Sequence, residues 1–475
     1  MTFSRWTFLC TLICSLAHFA TAKSQAVSVS SDDFDLPEDV ANAEVVNFAP
    51  IEASDVAEQE TENAEDQGDE AIPSGAFIPI ATPTKANGNS AAGVAESHAG
   101  LQVRAVPQEL NRPIRVGIFV GVKELYLVFN GEEIKITAAG KNIKVQSGSK
   151  SMEMESREFQ NEDGSCLAVA QDQKSLKRAC YPGTVLFRAN AGKVDAINAV
   201  DVEEYLRGSV PYEIGKLDAE RIEALKAQAV AARTYAYKHF NSREAMGFDV
   251  YADVKDQVYK GLEGATPLTD AAVKATAGVV MTYNGEFIIA YYHSTCSGRT
   301  ETLATWNRPD LPYLQSKPDL RPDGSPWCNE SSYMKWEKRF TDKEIVDLFK
   351  KNAKEAKAVF SSSTGSDFKK VKSISILDTL AGGRILTLRV ETDKGHFNVL
   401  ADKTRWLFKK AGAILPSSLF SVKHEKQEWI VTGSGFGHGV GMCQMGVRAR
   451  AQAGQSFQEI LTHYYPGITL EQYTR

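Results

Sequence analysis

"DAERIEALKAQAVAARTYAYKHF", Asp218 to Phe240, is the stretch from which the fold class is read. Ile222, Leu225, Ala229, Ala232 and Ala236 recur at three- and four-residue spacing behind Asp218, a candidate N-cap, and this periodicity predicts a helix. Its alanines allow close packing against another element, while Lys226 and Arg233 project from nearly the same side. On local grounds those two charges read as ordinary residues snorkelling at a helix edge. Upstream, "PIRVGIFV", "ELYLVFN", "EEIKITA", "NIKVQSG" and "GTVLFRANAGKVDAINAV" are short β-rich runs separated by Gly, Asn and Lys turns, so residues 111 to 200 are expected to form a meander. Downstream, "TDAAVKATAG" reads as a helix ended by Gly278, and "VVMTYNGEFIIAYYH" as a hairpin turning at Asn284-Gly285 that delivers His293 to its end. Lys343 to Phe360 reads as an amphipathic helix, "KSISILDTL" and "RILTLRVET" as a strand pair, and "EWIVTGSGFG" as a strand running into glycines. "QMGVRARAQAG" and "SFQEILTHYY" add two more helices. Strands and helices do not alternate regularly, so the expected class is α+β: a β-rich first part, a central Ala-rich helix and a mixed C-terminal part.

The chain has 475 residues, and its ends differ in texture. "MTFSRWTFLCTLICSLAHFATA" carries Arg5, an apolar run and an A-x-A pattern at Ala20 and Ala22, which predicts a secretory signal over residues 1–22. The apolar run is shorter than the ~20 residues needed to span a bilayer, and no later segment is apolar enough to cross, so no membrane span is expected after cleavage. From Ser31 to Glu70 there are 15 Asp or Glu and no Lys or Arg, a composition that repels itself and cannot bury a core. Residues 23–110 are therefore expected to be an acidic disordered linker, and folding is expected to begin at residue 111 and run to 475. Removing those 15 negative charges from a net charge of −6 leaves about +9 for the remainder, which suits an anionic envelope polymer as partner. Nucleic acid is not among the expected partners. Export places the protein in the periplasm or at the cell wall.

Five cysteines follow the signal: Cys166, Cys180, Cys296, Cys328 and Cys443. In an oxidising compartment pairing is the default, and "CLAVAQDQKSLKRAC" suits a Cys166–Cys180 bridge whose loop closure contributes about 3 kcal/mol. "HSTCSG" offers His293 and Cys296 as candidate metal ligands, with Cys328 further on in "SPWCNE". Zinc takes about four ligands, usually as two local pairs, and only one pair is evident. A Cys296–Cys328 disulfide is thus expected in preference to a metal, Cys443 is left over, and no cofactor is expected. "GSGFGHGVG", Gly433 to Gly441, fails G-x-G-x-x-G in every register; its glycines suit tight turns and close backbone approach around His438. A zinc peptidase is disfavoured because H-E-x-x-H is missing.

Four ordered blocks, "INAVDVEEYLRGSVPYEIG", "IEALKAQAVAARTYA", "GEFIIAYYHSTCSGRTET" and "GSGFGHGVGMCQMGVRARAQAGQSFQEILTHYYPG", closely resemble the SpoIID/LytB family of bacterial cell-wall proteins, over roughly Arg112 to Tyr465. The resemblance implies a lytic transglycosylase acting on peptidoglycan glycan strands, with a glycan cleft in the C-terminal part. The LytB branch implies an alternative, a non-catalytic enhancer of a cell-wall amidase. The family's catalytic Glu follows the "VP" before the long helix, which is Glu213 here, and its helix Lys and Arg correspond to Lys226 and Arg233. His293, His438 and Gln444 are candidates for lining the sugar groove. Some relatives bind zinc through a His at the position of His293 and ligands soon after it, but "RTETLATW" after Gly298 offers no second His/Cys pair.

A single carboxyl suffices for this chemistry. It protonates the oxygen between N-acetylmuramic acid and N-acetylglucosamine, then accepts the proton of the muramyl 6-hydroxyl as a 1,6-anhydro ring closes. Such a group has to be protonated near neutral pH, and Pro211, Tyr212 and Ile214 are apolar neighbours that favour this. The amino terminus of the helix expected to follow would oppose it. Hydrolysis would instead need a second carboxyl, for which Glu203, Glu204 and Glu286 are candidates that spacing does not separate.

Overall fold

The computed structural model describes residues 101–362 and 365–474; the expected signal and all but the last ten residues of the expected linker lie outside them. The meander forms two five-stranded sheets. One runs Lys150–Met154, Asn142–Ser147, Glu132–Ala139, Glu124–Phe129, Ala168–Ala170, and the other Val250–Tyr251, Ile114–Val122, Lys193–Val200, Thr184–Asn190, Ser156–Phe159. Alternating apolar residues face the space between them, where Phe129, Phe159 and Phe187 meet edge to face at 5.3 and 5.6 Å.

Helix α1, Val202–Glu213, starts behind Asp201, whose side chain accepts the Glu203 N–H at 2.8 Å. Helix α2, Ile222–Lys238, is the predicted Ala-rich helix, and 13 of its 17 residues are buried. Small side chains let it pack at once against α1, against α3 (Pro267–Ala275) and against the strand Val279–Tyr283. Asp218 makes no cap bond, because a short 3-10 turn at Ala219–Arg221 intervenes. The Asn284-Gly285 turn follows, with φ of 53° and 84° as a type I′ hairpin requires. A four-stranded sheet then combines Glu286–Phe287, Val279–Tyr283, Thr469–Thr474 and Gln102–Ala105. The last pairing is parallel, so residues 102–105, expected to be linker, form a strand.

Residues 336–433 bury a core of their own, including Phe340, Phe349, Phe397, Phe408 and Trp429. It lies among a three-stranded and a four-stranded sheet, α4 (Asp342–Asn352) and α5 (Lys403–Leu407). The expected helix to Phe360 is shorter than predicted: Lys357 takes a positive φ of 50°, and Val359–Phe360 pairs as a strand with Phe397–Asn398. The chain ends in α6, Gln444–Gln452, and α7, Phe457–Tyr464, both packed on α2. The fold is α+β.

Candidate functional site

Glu213 is the last residue of α1. "SVPYEIG", Ser209 to Gly215, carries the helix to its end: Pro211 lies inside it, and the last turn is closed by the Ile214 N–H on the Val210 carbonyl at 3.1 Å. Proline ordinarily breaks a helix because it lacks an N–H and crowds the preceding turn. Here the helix stops two residues later. The carboxyl thus stands at the carbonyl end of a helix, where the dipole disfavours an anion, the opposite of the expectation from sequence.

Three neutral partners surround Glu213. Gly208 leaves no room for a side chain, since a Cβ there would stand 2.4 Å from the Gly261 carbonyl oxygen and 2.5 Å from the Tyr259 ring. The loop that this closeness admits carries Val258, whose N–H donates to Glu213 Oε1 at 2.6 Å. Tyr292 is the second partner, and its orientation is set by a chain of bonds. The Tyr205 hydroxyl donates to Gln257 Oε1 at 3.0 Å, and Gln257 Nε2 donates to the Tyr292 oxygen at 3.0 Å. With its oxygen used as an acceptor, Tyr292 keeps its proton for the Glu213 carboxyl. Gln444 is the third: its Nε2 donates to the Glu213 backbone carbonyl at 2.8 Å, and the side chain also bonds the carboxyl. Burial is the largest influence on Glu213 and pushes it up to about 7, against the pull of Val258, Tyr292 and Gln444. Glu213, Tyr292 and Gln444 each retain partial exposure, so the group borders solvent.

A second cluster lies across the strand Tyr292–His293. This strand runs parallel to Met442–Cys443, with Tyr292 opposite Met442 and His293 opposite Cys443. Gly441, at φ 70°, makes the approach possible; a Cβ there would meet the Tyr291 carbonyl at 2.1 Å. Successive strand residues face opposite sides, so Tyr292 turns to Glu213 while His293 turns to Cys296 and Cys443, with Cys328 beside Cys296. All three cysteines are buried and unbridged, whereas Cys166–Cys180 is a disulfide. The ligating atoms of His293, Cys296 and Cys443 lie within 4.8 Å of one another.

Several sequence expectations are corrected here. Arg233 does not face the acid: it is fully buried, fork-bonded to Glu203 at 2.7 and 2.8 Å, and donates to the Val279 carbonyl at 3.0 Å. It holds α1 and α2 to the next strand and has no surface left for a sugar. Lys226 pairs with Glu223 at 2.6 Å. His293 is buried away from Glu213. His438 sits 4.7 Å from the Trp306 ring and 5.5 Å from that of His293, and burial pushes its imidazole down to about 3. The Cys296–Cys328 bridge is not formed; the sulfurs stand 3.7 Å apart, with Cys443 drawn in beside them. Of the expected residues, Glu213 and Gln444 meet. Val258, Tyr292 and Gln257 went unnoticed, because a backbone N–H and neutral side chains carry no motif.

The model of the SpoIID family, stage II sporulation protein, matches residues 190–283, from the strand before α1 through the first strand of the hairpin, and a domain of unknown function (DUF8618) matches residues 327–441. An uncharacterized protein of Brachyspira hyodysenteriae is 29% identical over 310 residues, 64% of this chain and 76% of the relative. The amidase enhancer of Bacillus subtilis is 33% identical over 298 residues, 56% of this chain but only 40% of that protein. Stage II sporulation protein D of Bacillus subtilis is 29% identical over 292 residues, 58% of this chain and 76% of the relative. The family's match spans α1, α2 and the first strand of the hairpin, and relatives of both names align, so this chain is similar to the SpoIID/LytB family.

Proposed function

We propose that this protein is an exported cell-wall enzyme, a lytic transglycosylase that cuts the bond between N-acetylmuramic acid and N-acetylglucosamine in glycan strands, with Glu213 as its acid and base. The observation that carries the reading is a solvent-bordering carboxyl with three neutral hydrogen-bond partners, pushed by burial to about 7. A general acid works best with a pKa near the operating pH, where it holds its proton yet gives it up readily. Glu213 would protonate the glycosidic oxygen as the bond to the muramyl anomeric carbon breaks. The N–H of Val258, the hydroxyl of Tyr292 and the amide of Gln444 would then stabilise the carboxylate. The muramyl 6-hydroxyl attacks the anomeric carbon, and its proton returns to Glu213, restoring the acid. No water is consumed and no second carboxylate is required. Glu203 and Glu204, the alternatives on the same helix, are engaged by Arg233 and Arg207.

The second reading is an enhancer that grips glycan for a separate amidase, and the similarity to an amidase enhancer supports it. Product analysis separates the two. Purified full-length protein incubated with glycan strands stripped of stem peptides is expected to yield fragments ending in 1,6-anhydro-N-acetylmuramic acid by mass spectrometry. Hydrated reducing ends would mean a hydrolase. Intact glycan together with faster stem-peptide release by an added amidase would mean an enhancer.

A further inference from the structure

We propose that Arg221 and Arg448 form a carboxylate-binding subsite beside Glu213 that takes the free lactyl carboxylate of an N-acetylmuramic acid residue. The inference rests on the reading that the cleft at Glu213 takes glycan, but it does not require that the glycan be cut.

Helix α6 supplies the first observation. Of its first five residues, Gln444, Met445 and Arg448 keep partial exposure. Gln444 bonds Glu213, and Arg448 stands one turn further along the same face, where side chains four residues apart are about 5–6 Å from one another at Cβ. The second arginine arrives from another element: the 3-10 turn Ala219–Arg221 packs on α6 and leads into α2.

The charges supply the second. Other buried arginines of this fold have carboxylate partners, Arg233 in Glu203 and Arg450 in Asp319. Arg221 and Arg448 form no ion pair among the described residues. Arg221 Nε is buried and lacks a hydrogen-bond partner among them, and Arg448 Nη1 reaches only the weakly accepting Met445 Sδ, at 3.5 Å. Asp218 and Glu330, the acids whose charges are felt at Arg448, are both exposed. Burial, and then the charge of Arg221, push the Arg448 guanidinium below its ordinary range. Two like charges held together with an orphaned N–H between elements are relieved by an anion.

A guanidinium presents parallel N–H donors that match a carboxylate. Along a strand of alternating N-acetylglucosamine and N-acetylmuramic acid the hydroxyl, acetamido and ether groups are neutral, and the lactyl carboxylate on C3 of muramic acid is the anion. It stands two ring bonds from C1, the carbon whose bond is cut. With a stem peptide attached, that carboxyl is an amide and has no charge to offer. The two arginines would therefore hold a bare muramyl ring beside the acid and discriminate against a substituted one.

The test is isothermal titration calorimetry on full-length Glu213→Gln, so that binding is read without turnover. The probe is a muramyl tetrasaccharide in three forms: free lactyl carboxylates, their methylamides, and stem peptides attached. The carboxylate form is expected to bind about 10–100-fold more tightly than the methylamide at low salt, with a ratio that shrinks as salt is raised. Arg221→Gln and Arg448→Gln together should bring that ratio to about 1, and Arg448→Lys alone should keep part of it. If the arginine variants fail to fold, the ratio with both arginines present and its salt dependence decide alone. A separate failure of the transglycosylase reading, seen as intact glycan in the product analysis, leaves this ratio expected. Equal affinity for carboxylate and methylamide would overturn the proposal, as would a ratio that survives loss of both arginines. So would peptide-bearing sugar bound as tightly as the bare form, or no binding of any form.

Discussion

Glu203 and Glu213 are carried by opposite ends of one helix, and their surroundings put the same functional group to different uses. Glu203, in the first turn of α1, is clasped by the fully buried Arg233 and also accepts the Gly278 N–H at 3.2 Å. Glu213, at the last residue, is bonded by an N–H, a phenol and an amide. The first is a fastening between α1, α2 and the hairpin strand; the second is a carboxyl that burial keeps protonated to unusually high pH. A cation within reach makes the difference.

The largest expected effect breaks the comparison at its chemical end. Glu213→Gln keeps shape and hydrogen bonding but removes the transferable proton, and the rate of glycan cleavage should fall by about 10²–10⁴-fold. Far-ultraviolet circular dichroism and glycan pull-down should be unchanged. At the structural end, Glu203→Gln leaves Arg233 buried without its counter-charge. Loss of one partner of a buried pair costs about 3–5 kcal/mol, reduced here to about 2–3 because Glu203 itself is one-third exposed. Urea unfolding should show that loss, while the folded fraction still cleaves at close to the normal rate.

The pH dependence separates the two acids further. Below about pH 4.5 Glu213 is protonated in both folded and unfolded chains and contributes nothing to the balance. Between about 4.5 and about 7 the unfolded chain releases this proton and the folded protein retains it, so stability falls as pH rises, with the full cost present above 7. Glu213→Gln should therefore be more stable than the unaltered protein by about 1–3 kcal/mol at pH 8, and the difference should vanish near pH 4. Equal thermal midpoints at both pH values would contradict the buried-acid account. Tyr292→Phe is a milder perturbation. It removes a bond that lowers the Glu213 pKa and leaves Gln257 Nε2 with only its long bond to the Ala232 carbonyl, so the alkaline limb of the rate profile should move to higher pH, at a stability cost of about 1–2 kcal/mol. Lys226→Ala should matter least, within about 0.5 kcal/mol, because its pair with Glu223 is partly exposed and local.

How much of this could be read beforehand follows the range of the interactions involved. The Ala-rich helix, the Asn284-Gly285 hairpin and the strand pair at Val371–Thr379 and Ile385–Thr392 are written in local periodicity and turn chemistry. Glu213 was found through a family resemblance, and its surroundings were not. The strand Gln102–Ala105 looked like spacer because its partner, Thr469–Thr474, lies at the other end of the chain. Pro211 hides the helix end, because most prolines break helices and this one falls within the last turn. Arg233 and Lys226 share a helix side, but which neighbour that side faces depends on where α1 and the hairpin pack. The cysteine cluster was paired too early, since spacing alone could not bring Cys443 beside Cys296.

The central claim, a helix-end carboxyl that stays protonated close to neutrality, can be measured on the carboxyl itself. Full-length protein labelled with carbon-13 at the glutamate side-chain carboxyls is titrated by NMR, and Glu213→Gln identifies the resonance that disappears. The account predicts a midpoint near 7 for that one signal. A midpoint at the ordinary glutamate value of about 4.3 would mean that Glu213 is fully ionised at neutral pH and is not the acid proposed here.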